Sequence, residues 1–155
     1  MATKKEVRLF TTNQMGDACE MLIATELTLA GVPAAKMPDN WPDYDIVAQP
    51  ANLPSQRISV KSRTFKRGGD RFVDYDLRCS FDWLAAVLLP GDGQEQRRTF
   101  LIPKAHADAN APKRITKKPW DIYWRHDAFV KTFADYEDNF ELSPTGRKAV
   151  TPVNT

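Results

Sequence analysis

The stretch from Trp41 to Arg63, WPDYDIVAQPANLPSQRISVKSR, restricts the fold more than any other part of the chain. It reads as two short strands joined by a Pro-containing connection. In the second strand Ile58 and Val60 fall on one face and Ser59, Lys61 and Arg63 on the other, because strand side chains alternate with period two. The first strand sets Asp45 among Tyr44, Ile46, Val47 and Ala48. An Asp and a Lys on neighbouring strands, within reach of one ligand, suit phosphodiester chemistry. The carboxylate can hold a divalent metal and the ammonium can steady a charged oxygen.

The flanking chain supplies the rest of an α+β domain. Thr12 or Asn13 is a credible N-cap for a helix reaching about Ala30, where Gly31 stops it. Met15, Cys19, Leu22, Ile23, Leu29 and Ala30 recur at helical spacing, with Glu20 on the border of that stripe. Glu26 falls inside the stripe and calls for a basic partner. Further strands are expected at Val32–Met37, Arg71–Leu77, Trp83–Leu89 and Thr99–Ile102, with Asp121–Trp124 as an edge strand. A hairpin-like turn is expected at residues 66–70. Ser80-Phe81-Asp82 reads as one helical turn, and residues 103–119 as a long loop holding one more. Asp127 to about Phe140 reads as a terminal helix with Phe129, Val130, Phe133 and Tyr136 on one side. The sum is a mixed central β-sheet of five or six strands flanked by helices.

At 155 residues the chain has enough length for one domain with a real core. That domain is expected over residues 1–142, followed by a polar, Pro-containing and disordered tail over residues 143–155. No apolar run approaches the ~18–20 residues a membrane span needs. No apolar core follows Lys4 and Lys5 as a secretory signal would require, so a cytoplasmic protein is expected. Cys19 and Cys79 are isolated and read as reduced thiols. His106 and His126 lack the neighbours of a catalytic dyad or zinc site and read as surface histidines. Asp70, Asp74 and Asp76 lack the glycine turn and closing glutamate of a calcium loop. The polar face of a strand accounts for them.

Taken in order, Gly16-Asp17-Ala18-Cys19-Glu20, Leu27 and Gly31, then Tyr44-Asp45-Ile46-Val47, then Ile58-Ser59-Val60-Lys61, resemble the PD-(D/E)xK nuclease superfamily. The likeness is to its compact branch of archaeal Holliday-junction resolvases and small homing endonucleases. Phe81-Asp82-Trp83-Leu84, Phe100-Leu101-Ile102-Pro103 and the terminal helix extend it over roughly residues 13–142. The resemblance implies a restriction-endonuclease-like core and a metal-dependent DNA endonuclease. It implies that Asp45 is the central metal carboxylate, that Glu20 reaches the metal or its water shell, and that the Val60 carbonyl is a further ligand. Lys61 would orient or activate the attacking water and stabilise the pentavalent phosphate. Mg²⁺ is the implied cofactor, with Mn²⁺ the alternative. A homo-oligomer, dimer or tetramer, would bring the two active sites needed to cut both strands.

Two features depart from that pattern. Ser59 stands two residues before Lys61, where the family usually has Glu, Asp or Gln. A serine hydroxyl can hold a metal-bound water, but the position loses a carboxylate ligand. Asp43 forms the literal Pro42-Asp43 and shares strand parity with Asp45, so it competes for the metal role; apolar neighbours favour Asp45. A nuclease fold retained as a catalytically degenerate DNA-binding or protein-interaction module is therefore the alternative, with action on another phosphate-containing substrate a third reading.

Positive charge follows the proposed site at Lys61, Arg63, Lys66, Arg67 and Arg71. A second cluster, Lys113, Arg114, Lys117 and Lys118, runs into Trp120, Tyr123, Trp124 and Arg125. Basic groups interleaved with aromatics suit a phosphate backbone and unstacked bases, which makes nucleic acid the expected partner, and the resemblance implies that it is DNA.

Overall fold

Asp45 and Glu20 are carried by a five-stranded sheet and the helix that covers one of its faces. This is a computed structural model, and it describes residues 9–64, 72–91, 96–112 and 118–147. The first helix, α1 (Thr12–Leu29), is capped one residue earlier than the sequence suggests. The Thr11 hydroxyl accepts from the Gln14 N–H, while the Gln14 side chain accepts from the Thr11 N–H. This reciprocal box satisfies two of the amides that a helix start leaves open. Gly31 (φ 95°) turns the chain out of the helix, as expected. Cys19, Ile23 and Leu27 form the buried stripe, four residues apart, whereas Leu29 is exposed.

Strands β1 (Ala34–Lys36), β2 (Ile46–Ala48), β3 (Gln56–Thr64), β5 (Trp83–Leu89) and β6 (Arg98–Pro103) form the main sheet in the order β1-β2-β3-β5-β6. Neighbours are antiparallel except β3 and β5, which run parallel from Ile58↔Trp83 to Thr64↔Leu89. β5 is covered on both faces, which is why its sequence is an unbroken apolar run rather than an alternating one. Trp83, Ala85 and Val87 meet α1 and Ile58; Leu84, Ala86 and Leu88 face the other layer.

That other layer differs from expectation. β4 (Phe72–Asp76) and β7 (Asp121–Arg125) leave the main sheet and pair with each other as a two-stranded antiparallel ribbon. The ribbon's Val73, Tyr75, Ile122 and Trp124 pack with Phe100, Phe129 and Phe133 into a second core. Ser80-Phe81-Asp82 is not helical. The Asp82 carboxylate instead takes the Arg57 amide at 2.8 Å and the Arg57 guanidinium at 3.2 Å, fastening the start of β5 to β3. The one turn expected within residues 103–119 is the six-residue helix α2 (Lys104–Ala109).

The terminal helix α3 (His126–Thr132) is shorter than the sequence suggests and passes into a 3-10 turn, Ala134–Tyr136. Phe129, Phe133 and Tyr136 are still buried together, because the chain bends with the apolar set facing inward. Of the expected tail, residues 143–147 are described and pack back on the domain: the Arg147 amide donates to the Asp135 carbonyl at 2.6 Å, and Asn139 Nδ2 donates to the Ser143 carbonyl at 2.9 Å; residues 148–155 lie outside the described residues. Gly146 (φ 78°) makes this possible, since a Cβ there would lie 2.4 Å from the Asp135 carbonyl oxygen. Neither histidine is a plain surface residue. His106 packs against Tyr136 with ring centroids 4.9 Å apart, and burial holds His126 below the usual imidazole range. Among the described residues, no helix is long and apolar enough to cross a membrane.

Candidate active site

β2 and β3 diverge at Asp45, and this fork is the candidate site. Their ladder runs from Ala48↔Gln56 to Ile46↔Ile58. Beyond it the Asp45 amide still donates to the Ile58 carbonyl at 2.9 Å. The next ladder step would bring Tyr44 to Val60, but the Tyr44 amide turns back to the Pro42 carbonyl at 3.0 Å. The carboxylate of Asp45 replaces it, with Oδ2 accepting from the Val60 N–H at 2.7 Å. Asn40 (φ 64°) and Asp43 (φ 71°) curl the intervening chain away from the sheet, in the left-handed region that Asn and Asp tolerate best among side-chain-bearing residues. In an extended strand the N–H and C=O of one residue lie on the same edge, so the Val60 carbonyl faces the fork with its amide. Asp45 is thus held just ahead of β2 rather than within it.

Glu20 reaches the fork from α1. It follows the buried Cys19 in the helix and is half-buried itself. Burial pushes its carboxyl above the usual range, the Asp45 charge and a hydrogen bond to Asp45 add to that, and Lys36 acts in the opposite direction. Two carboxylates are therefore held together at the cost of discomfort to one of them. The folded-state value of Glu20 is raised, so its ionisation costs stability above that value, and the cost disappears as pH falls through it. In Asp45→Asn the Glu20 titration, followed by carboxyl ¹³C NMR, should move down toward the ordinary glutamate range. An unmoved titration would mean that the two side chains do not interact.

Lys36, on β1, joins this group, although nothing in its local sequence marks it. Its Nζ lies 3.1 Å from Asp39 Oδ1, 3.4 Å from Glu20 Oε2 and 3.8 Å from Asp17 Oδ1. Together with Asp45 and Trp41 these residues line a cleft of about 440 Å³. Register was the missing signal: Lys36 pairs with Ile46, next to Asp45, but β1 has only three residues and no legible alternation.

Ser59 lies across from Asp45, one step beyond the ladder, and is 5% exposed. Lys61 is half-buried on the Ser59 side of β3, where its charge acts on Asp76 and Cys79. Among the described residues no ion pair holds its ammonium. Asp43 is exposed and hydrogen-bonds to Cys79, so at the fork it is Asp45 that meets Glu20 and Val60.

Among the described residues no three His, Cys, Asp or Glu side chains converge as a metal site. The donor set at the fork is smaller: two carboxylates and one carbonyl. It fits Mg²⁺, which keeps several waters and needs only one or two protein carboxylates, and does not fit a closed all-protein cage.

The expected nucleic-acid contacts are distributed unevenly. Arg63 is ion-paired with Asp74, and Lys118 is exposed. Lys66, Arg67, Arg71, Lys113, Arg114 and Lys117, with the 66–70 turn, lie outside the described residues. Trp124 is a core residue at 2% exposure, and Trp120 lies beneath the Arg78 guanidinium at 4.2 Å. Of the aromatics after the second basic cluster, Trp124 is thus committed to the core, while Trp120 and Tyr123 are half-buried.

Neither a family model nor a curated protein matches the sequence. Solved structures do match. A bacterial homing endonuclease, I-Ssp6803I, superposes with a TM-score of 0.57 at 16% identity, over 86% of this chain and 91% of its own. Hjc, a Holliday junction resolvase from the archaeal hyperthermophile Archaeoglobus fulgidus, matches with a TM-score of 0.45 at 17% identity, over 77% of this chain and 88% of its own. The mixed sheet with its covering helices is a fold shared with that homing endonuclease.

Proposed function

We propose that the chain is a metal-dependent DNA endonuclease that hydrolyses phosphodiester bonds with water. The observation that carries this reading is the Asp45 carboxylate, locked by the Val60 amide where β2 and β3 part and met there by Glu20. A fold shared with a homing endonuclease supports it.

Glu20, Asp45 and the Val60 carbonyl would hold Mg²⁺, or Mn²⁺ in its place. When bound, such an ion supplies Lewis acidity at the phosphoryl oxygen and a more acidic water. The chain's own groups do the rest. The β2–β3 fork fixes Asp45 in place before substrate arrives, so no reorganisation is needed at the moment of reaction. Lys61 offers an ammonium to the attacking water and to the charge that builds on the phosphate. Ser59, buried beside Asp45, offers a hydroxyl that can orient that water. Hydrolysis then forms one bond from the water oxygen to phosphorus, breaks the ester bond in line with it, and leaves a proton on the departing sugar oxygen. The substrate is DNA, and a homo-oligomer in the cytoplasm would pair two such sites.

A second reading draws on Ser59, which brings no carboxylate to the fork. In that reading the domain binds DNA without cutting it. Supercoiled plasmid and a branched DNA, incubated with Mg²⁺, Mn²⁺ or EDTA, separate the two. Cleavage with either metal and none in EDTA is the expected result. A gel shift of the same DNA, indifferent to metal and without cleavage, would establish the binding module instead.

A further inference from the structure

Lys36 is held by three carboxylates at once. Its ammonium sits among three carboxylates, from two residues of α1 and one of the β1–β2 connection, with the side chain 25% exposed. An ordinary surface pair needs one partner and gains little from it. Here the ammonium supplies positive charge beside Glu20, in the cleft that Asp45 also lines, and these are the two carboxylates that would hold a divalent ion. A metal on that pair and an ammonium 3.4 Å from Glu20 repel each other, so both cannot keep these positions. Two of the acceptors lie outward: Asp17 and Asp39 have side chains 53% and 78% exposed, against 20% for Glu20. A short swing of the lysine can leave Glu20 while keeping both.

We propose that Lys36 is a tethered counter-cation of the Glu20–Asp45 pair, which keeps the carboxylates together before metal arrives and must shift onto Asp17 and Asp39 for metal to bind. This rests on the reading of Glu20 and Asp45 as metal ligands. Metal therefore competes with the protein's own ammonium, and the site's affinity is set by that competition as well as by its ligands.

Mn²⁺ titration of the full chain without DNA, followed by the electron paramagnetic resonance signal of the free ion, tests this. Wild type is compared with Lys36→Met, Lys36→Gln, Lys36→Arg and Asp45→Asn, each checked for folding by circular dichroism. The two uncharged variants should bind Mn²⁺ about tenfold more tightly than wild type, as loss of one competing charge implies. Lys36→Arg keeps the charge and should stay near wild type. Without metal, Lys36→Met should melt below wild type, and saturating Mn²⁺ should raise its Tm by more than it raises that of wild type. If wild type binds Mn²⁺ through Asp45 while both uncharged variants bind equally or more weakly, the counter-cation role is overturned and the metal site stands. If wild type shows no Asp45-dependent Mn²⁺ binding, the metal site and the role of Lys36 fall together.

Discussion

Asp45→Ala is expected to lower metal-dependent cleavage of plasmid DNA by about a thousandfold or more, the order lost with one preorganised charge-stabilising group. The structure gives this residue two tasks that no neighbour duplicates. Its carboxylate meets Glu20 at the fork, and its Oδ2 accepts the Val60 amide at 2.7 Å, which the β2–β3 ladder leaves without a strand partner. Asp45→Asn separates the tasks, because the amide oxygen can still accept from Val60 while the charge is gone. It should be as inactive as Asp45→Ala but melt closer to wild type. Lys61→Ala should lose about a hundredfold to ten-thousandfold, the range of a single proton-transfer group, without altering metal affinity to the same degree. Full cleavage by Asp45→Asn would move the catalytic centre away from the fork.

The largest loss of stability is expected at Phe129, on the far side of the sheet. Its side chain is fully buried, with ring centroids 4.9 Å from Phe133, 5.4 Å from Phe100 and 5.8 Å from Trp124. These contacts join α3, the main sheet and the β4–β7 ribbon. Truncating a buried Phe to Ala removes its transfer free energy and leaves a cavity, at a typical cost of about 3–5 kcal/mol. Urea unfolding of Phe129→Ala should show a midpoint lowered accordingly with a single transition. A loss below about 1 kcal/mol would mean that the ribbon layer is not part of the cooperative core. Glu20 reaches Asp45 from α1, whose buried residues belong to the other core, so the folded fraction of this variant should keep the Glu20–Asp45 pair.

Comparison of the two layers shows where sequence is legible. α1, β3 and β5 follow directly from local pattern: a cap and a glycine stop, alternation, and an apolar run too short for anything but a doubly covered strand. Each reports its own environment within a few residues. The ribbon does not. β4 alternates as a sheet strand would, and its pairing with β7 rather than with the main sheet depends on residues some fifty positions apart. Strand periodicity says which face is buried and is silent about the partner. For the same reason Trp124 looked available to nucleic acid while it is in fact part of the core.

At the site the division is similar. By itself the sequence determined the chemical inventory and the order in which it is strung: Glu20 on a helix border, Asp45 ahead of an apolar strand, and Ser59, Val60 and Lys61 alternating on the next. These are local facts, set by capping and by side-chain periods of 3.6 and two. Only the tertiary structure decided that the ladder breaks at Asp45, that the carboxylate and not Tyr44 takes the Val60 amide, and that Glu20 shares its charge with Lys36. Hydrogen-bond partners and opposing charges come from chain segments distant in sequence, and their choice follows from how the sheet and α1 pack. A residue such as Lys36, unremarkable in its own tripeptide, becomes part of the site because packing brings three carboxylates to it.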